Sequence, residues 1–223
     1  MKKKAIVLLS GGMDSAVALW WARRAGYACR ALSFDYGQRH KKELVLSKKL
    51  ARAAKIPWEL IKIRLPWSQS SLTNKKSELP THKISEMARS GIPSTYVPGR
   101  NTLFLSFALS LADQTESEAI VIGANAIDYS GYPDCRGPYL RAFERVANLG
   151  TKTGSQGKKK LRILAPLVKL TKKQIVQLGA KLKVPFELTW SCYKGGKNPC
   201  GRCDSCQLRA KGFLEAKIGD PAL

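Results

Sequence analysis

Two hydrophobic rhythms alternate along the chain. Residues 5–9 (AIVLL) form an unbroken apolar run, as a strand buried on both faces requires, and residues 14–25 then bring Ala16, Val17, Leu19, Trp20 and Ala22 back at helical spacing. Gly26 predicts the end of that helix. The alternation continues with a strand over 28–34, a charged helix over 41–54 with Leu44, Leu46, Leu50 and Ala53, and a strand over 58–63. Such repeated strand–helix–strand units predict a parallel sheet. From Pro66 to Pro98 the rhythm fades into Ser, Thr, Asn, Lys and four prolines, which predicts a long functional loop, a lid or substrate-binding segment.

Periodicity returns with a mostly buried helix over 100–113 and a central strand over 119–123. A polar loop over 124–137, a helix over 138–148 and a basic linker over 151–160 follow, then a strand over 161–164 and a helix over 171–182. From about Phe186 the chain turns cysteine- and glycine-rich and ends in a helix over 204–217. The expected organisation is an α/β domain over 1–185, carrying the loop 66–98, and a small module over 186–223. No internal repeat is visible.

A chain of 223 residues can bury one sizeable core. Its 44% hydrophobic and 25% charged content is ordinary for a globular protein. No apolar run approaches the roughly 18–20 residues of a membrane span, and MKKKAIVLL lacks the long apolar region and cleavage site of a secretory signal, so a cytoplasmic protein with no membrane partner is expected. The charge is unusual: 39 Lys and Arg against 16 Asp and Glu give +23. Such a field attracts nucleic acids, but also nucleotides and other anions. The cations are spread over most of the chain, and the runs at Lys2–Lys4 and Lys158–Lys160 read as solvated segments.

SGGMDS follows the first predicted strand and opens the first helix, the position where parallel sheets bind ligands. Gly11 and Gly12 let the backbone approach an anion, the helix N-terminus favours it, and Ser10 and Ser15 add hydroxyls. The segment matches neither a Walker loop, a dinucleotide fingerprint nor a nucleophile elbow. On its own it reads as a phosphate cradle or as a plain strand-to-helix turn. Asp14 either stabilises the helix start or, beside phosphate, requires Mg²⁺ between the two anions.

Four of the six cysteines, Cys192, Cys200, Cys203 and Cys206, fall within 15 residues and supply the ligand number of a closed tetrahedral zinc site. With no position left for water, such a zinc is structural. Iron–sulfur ligation also uses close C-x2-C-x2-C runs, but the fourth cysteine followed by proline is missing. Cys29 reads as a small core residue and Cys135 lies in the polar loop.

Ser10 to Ser15 resemble the SGGxDS motif of the PP-loop ATP pyrophosphatases, which cleave ATP between the α- and β-phosphates. FDYGQRH (34–40), VPGRNTLFLS (97–106), GANAIDYSGYPDCR (123–136), LTKKQI (170–175) and TWSCYKGGKNPCGRCDSCQLRAKGF (189–213) further resemble one PP-loop family, the 7-cyano-7-deazaguanine synthases, in order and nearly end to end. Met13, where leucine is more usual, and the lysine-rich surface are the departures. The resemblance implies an α/β fold, a Rossmann-like parallel sheet with helices on both faces of the adenine nucleotide alpha hydrolase type, plus a small C-terminal zinc module built on the four cysteines.

The implied activity is ATP-dependent conversion of 7-carboxy-7-deazaguanine and ammonia to the nitrile, with Mg²⁺ accompanying ATP, in a homodimer with no obligate nucleic acid. By the same resemblance Leu8, Leu9, Ser10, Gly11, Gly12, Met13, Asp14, Ser15, Ala16, Val17 and Ala18 hold ATP and Asp14 contacts Mg²⁺. Arg100 and Lys172 are candidates to neutralise phosphate charge. Asp128, Tyr129, Asp134 and Arg136 are candidates to recognise the deazaguanine, a carboxylate matching its N–H edge and an arginine its carboxylate. His40 is placed near substrate and His82 in a loop. With no room for a glutaminase domain, free ammonia is the expected nitrogen source. Two rivals remain at this level: a tRNA-modifying thiolase, which would need Cys29 or Cys135 to be reactive, and a zinc-dependent nucleic-acid-binding protein.

Overall fold

The computed structural model describes residues 2–87, 91–125, 131–156 and 160–222. In chain order it contains β1 (Lys4–Leu8), α1 (Met13–Arg24), β2 (Ala28–Asp35), α2 (Lys42–Ala53), β3 (Trp58–Lys62), α3 (Ile84–Met87), α4 (Arg100–Gln114), β4 (Ala119–Val121), α5 (Gly137–Gly150), α6 (Lys152–Ser155), β5 (Arg162–Leu164), α7 (Lys172–Lys181) and α8 (Asp204–Ala216). Every strand and long helix expected from the hydrophobic rhythm is present. Two segments carry more structure than expected. The linker 151–160 contains α6, because the Thr151 hydroxyl accepts from the Gly154 N–H and the Asp113 carboxylate accepts from the Thr153 N–H at 3.0 Å. The loop 66–98 contains α3.

The strands lie in the order β3-β2-β1-β4-β5, all parallel. The chain runs outward from β1 through β2 to β3 and then returns to the other side of β1 with β4. The direction reverses between β1 and β4, where a parallel sheet opens a crevice beyond its carboxyl ends.

Side-chain alternation divides β1 between two cores. Ala5 and Val7 pack with α1, α2, α7 and α8, while Ile6 and Leu8 pack with α4 and α5 on the other face. That two-sided burial explains the unbroken AIVLL run. Val7, Leu19, Leu50 and Ile120 are fully buried, each contributing about 1.5–3 kcal/mol.

The C-terminal segment joins the first core. Phe213 of α8 meets Phe186 edge-on at 5.1 Å. Buried Arg209 pairs with Asp220 at 2.7 and 2.8 Å and donates to Thr189 at 2.7 Å. The loop 66–98 is tied down in its first half and at its middle. Arg39 donates to the carbonyls of Ser71 and Ser77 at 3.2 and 2.9 Å, and His82 meets the Asp204 carboxylate through its backbone N–H at 2.8 Å and its ring Nδ1 at 2.9 Å. Among the described residues no helix is long and apolar enough to cross a membrane.

Candidate active site

The loop between β1 and α1 closes on itself through its serines. The Gly12 N–H donates to Ser10 Oγ at 3.1 Å, and Ser15 Oγ donates to the Gly12 carbonyl at 2.9 Å. Gly11 has φ +91°, and a Cβ there would stand 2.2 Å from the Glu43 carbonyl oxygen at the start of α2. The β4 side is equally tight, since a Cβ on Gly123 would lie 2.8 Å from the Ser15 nitrogen. Both glycines are therefore dictated by close approach at the switch point. Gly12, at the N-cap of α1, makes no side-chain cap, so the first-turn N–H groups and the positive end of the helix dipole are left for an anion.

A cavity of about 300 Å³ opens above this loop. Its walls include Ser10, Asp14, Tyr36, Arg100, Lys172 and Trp190. Of the residues expected to hold ATP, positions 8–10 and 12–15 line the cavity, whereas Gly11 turns the chain beneath it and Ala16, Val17 and Ala18 are buried in the core.

The expected charge-handling residues converge here. The capping box of α7, in which Thr171 and Gln174 bond reciprocally, places Lys172 at the head of the helix. Its Nζ lies 2.5 Å from Asp14 Oδ2. Asp14 Oδ1 is buried and has no hydrogen-bond partner among the described residues, which leaves an anionic oxygen available to a cation.

Arg100 heads α4 and donates to the Tyr36 hydroxyl at 3.2 Å, with its guanidinium 5.5 and 5.7 Å from the Tyr36 and Tyr132 ring centres. No carboxylate among the described residues pairs with it. Burial disfavours its charge, but the Tyr36 and Tyr132 phenols outweigh that and Arg100 remains a cation. Burial conversely pushes the Tyr36 phenol up, against the pull of Arg100. A half-buried cation that meets aromatic rings and no carboxylate among the described residues is a receptor for an anion.

His40 lines the same cavity, with Nε2 3.0 Å from Glu43 Oε2. Burial works to lower its pKa, and the Glu43 carboxylate overrides this and holds the imidazole above its ordinary value. His82 sits in the loop 66–98 as expected, where it anchors that loop to α8.

Of the four expected deazaguanine readers, the two described ones do not line the cavity. Asp128 and Tyr129 lie outside the described residues. Asp134 is buried and does not line the cavity; its Oδ2 accepts from the Asn101 N–H at 3.0 Å and so caps α4. Arg136 is exposed and also absent from the cavity wall. Their neighbours Tyr132 and Cys135 face the cavity instead. Asn101 Nδ2 donates to Cys135 Sγ at 3.2 Å, and burial pushes that thiol up to about 11.

The ligand atoms of Cys192, Cys200, Cys203 and Cys206 all lie within 4.8 Å of one another. Four sulfurs about 2.3 Å from a tetrahedral zinc would stand roughly 3.8 Å apart, so the cluster fits that ion. Backbone N–H groups of Cys200 and Cys203 donate to the Cys192 and Cys200 sulfurs at 3.3 and 3.4 Å. Hydrogen bonds from the Cys203 and Cys206 thiols pull Cys192 well below the usual thiol range, while Cys203 and Cys206 themselves are pushed up. Only a cation can hold all four as thiolates. The cluster also abuts the phosphate loop, because the Trp190 N–H donates to the Gly11 carbonyl at 3.0 Å.

Trp190, Tyr36 and Tyr132 also face the cavity, and sequence reasoning misses them as individual residues. Only their membership of the family-like segments points toward them.

A family model described as queuosine biosynthesis protein QueC matches residues 4–217. The chain is 50% identical over 221 residues to a 7-cyano-7-deazaguanine synthase of Thermoplasma volcanium, covering 99% of this chain and 90% of that protein. It is 53% identical over 220 residues to one of Leptospira interrogans, covering 97% and 89%. Among solved structures, the NMN synthetase of Francisella tularensis superposes with a TM-score of 0.53 at 20% identity, covering 98% of this chain and 78% of that one, and so shares the fold.

Proposed function

The chain belongs to the QueC family of queuosine biosynthesis proteins, and from that premise we propose that it converts 7-carboxy-7-deazaguanine to 7-cyano-7-deazaguanine with ATP and ammonia. A carboxylate is a poor acyl donor. Its oxygen attacks the α-phosphorus of ATP, pyrophosphate leaves, and the acyl adenylate forms. Ammonia adds to the acyl carbon, loses a proton and expels AMP, giving the amide. The amide oxygen then attacks the α-phosphorus of a second ATP, a second pyrophosphate leaves, and loss of AMP and protons from the adenylated amide leaves the carbon–nitrogen triple bond.

The chain's own residues divide this work. Ser10, Gly12, Ser15 and the head of α1 receive the pyrophosphate. Arg100 offers its charge to the carboxylate or α-phosphate, where negative charge grows as the phosphorus is attacked. Lys172, held on Asp14, stands beside the loop to neutralise the leaving group. Asp14 would hold Mg²⁺ through its unpartnered Oδ1; bound with ATP, that ion would neutralise charge between carboxylate and phosphates. The observation that carries the reading is Arg100, a half-buried cation without a carboxylate partner among the described residues, in the same cavity as the phosphate loop.

Zinc is the metal this reading assigns to the four cysteines, one ion per chain, structural because every position is a thiolate. Residues 1–185 then form the nucleotide-binding domain and 186–223 the zinc module. A cytoplasmic homodimer drawing on free ammonia, with no obligate nucleic acid, completes the proposal.

The test is to incubate zinc-loaded protein with ATP, Mg²⁺, ammonium chloride and 7-carboxy-7-deazaguanine and weigh the product. The nitrile is expected without glutamine. Its absence, or an absolute need for glutamine and a second subunit, would overturn the reading.

A further inference from the structure

The edge of the sheet opposite the cavity collects cations that the proposed reaction does not use. α1, α2 and α7 pack on one face, and their C-terminal ends come to the edge where the strands begin. α1 ends in Arg23 and Arg24, α2 in Arg52 followed by Lys55, and α7 in Lys181 followed by Lys183. Lys2 and Lys3 stand at the start of β1 beside them, since the Lys3 carbonyl accepts from the Ala28 N–H at 2.8 Å just after the α1 turn. All eight side chains are exposed, and none forms an ion pair with a described residue. Glu116 and Glu118 also come to this edge, from the α4–β4 turn, whose helix packs on the opposite face.

One cation per helix end answers the helix dipole. Here each of the three helices brings two and the strand adds two more, beyond what the dipoles call for. With helix axes about 8–10 Å apart, the row is roughly 20–30 Å long. Trp20, Trp21 and Tyr27 lie half-buried among these cations, Arg23 standing 5.9 Å over the Trp20 ring. A lipid surface would call for projecting apolar anchors, but the exposed large apolar side chains of the described residues, such as Trp67, Phe107 and Leu149, lie elsewhere. An extended row of cations with aromatic faces matches a polynucleotide backbone.

We propose that this edge is a sequence-independent docking surface for the phosphate backbone of a nucleic acid, separate from the catalytic cavity and not needed for nitrile formation. Binding releases condensed counterions, so affinity falls with salt, and eight cations set a log–log slope no steeper than about −7.

The experiment is fluorescence anisotropy of the full-length protein with an RNA hairpin and a DNA hairpin of one sequence, from about 50 to 300 mM salt. Parallel arms use phosphatidylserine vesicles and two triple variants of equal charge change. One reverses the edge (Arg24→Glu, Lys55→Glu, Lys183→Glu) and the other reverses exposed cations elsewhere (Arg64→Glu, Arg141→Glu, Arg145→Glu). Expected are binding of at least one hairpin, a tenfold or larger loss for the edge variant with a slope shallower by about 3, a smaller loss for the control, and unchanged nitrile formation in both. Equal losses in the two variants would show that net charge alone binds and overturn the proposal. Vesicles binding as tightly as the hairpins, or neither hairpin binding at the lowest salt, would overturn it as well.

Discussion

Replacing Gly11 by alanine tests the close approach on which the phosphate loop depends, and Gly26 supplies its control. The two glycines have nearly the same φ, +91° and +88°, so an L side chain pays a similar left-handed penalty at both, about 1–2 kcal/mol. They differ in surroundings. A Cβ on Gly26 meets nothing within 4 Å, whereas on Gly11 it falls 2.2 Å from the Glu43 oxygen and 2.9 Å from the Glu43 carbonyl carbon. These are backbone atoms of α2 and cannot swing aside, so the loop must shift by roughly 1 Å, at an overpacking cost of about 1–3 kcal/mol. Gly26→Ala is expected to lose about 1–2 kcal/mol in urea unfolding and to keep its nitrile synthesis. Gly11→Ala is expected to lose about 2–5 kcal/mol and, with its loop displaced from Trp190, to bind ATP at least tenfold more weakly by calorimetric titration. Equal stability losses with unaltered ATP affinity would refute the reasoning.

Arg100→Met should lower kcat/KM by about 10²–10³-fold while leaving the ligand-free protein about as stable, because it removes a half-buried charge that has no carboxylate partner among the described residues; a stability loss with normal kinetics would assign Arg100 to the fold. Stripping the metal with a chelator, or Cys203→Ser, should cost several kcal/mol in unfolding and weaken ATP binding through the Trp190–Gly11 contact, and elemental analysis of the native protein should give one zinc per chain. Cys135 titrates upward to about 11, so its reactive thiolate is scarce below that pH and grows as pH rises toward it. Iodoacetamide labelling of Cys135 at about pH 8 should therefore be slow, and Cys135→Ser should retain nitrile formation; complete loss in that variant would instead make the sulfur a nucleophile.

The parts of the site legible from sequence are those with a local physical reason. Gly11 and Ser10 sit where one loop must turn, expose N–H groups and bond to itself, and the four cysteines declare a ligand count within 15 residues. The roles that sequence reading missed depend on partners far along the chain. Asp134 reads as a loop carboxylate until Asn101, 33 residues earlier, is seen to need a helix cap. Trp190 gains a role only because its N–H reaches the Gly11 carbonyl across most of the chain. The strand–helix alternation was legible because each buried face repeats with its own period, but α6 was not, since its four residues owe their turn to Thr151 and to Asp113 on another helix.

Labelling both carboxylate oxygens of 7-carboxy-7-deazaguanine with ¹⁸O gives the most direct test of two adenylations in one cavity. Two AMP and two pyrophosphate are expected per nitrile, each AMP carrying one ¹⁸O and the nitrile none. Formation of ADP and phosphate, or label released to water instead of AMP, would contradict the account.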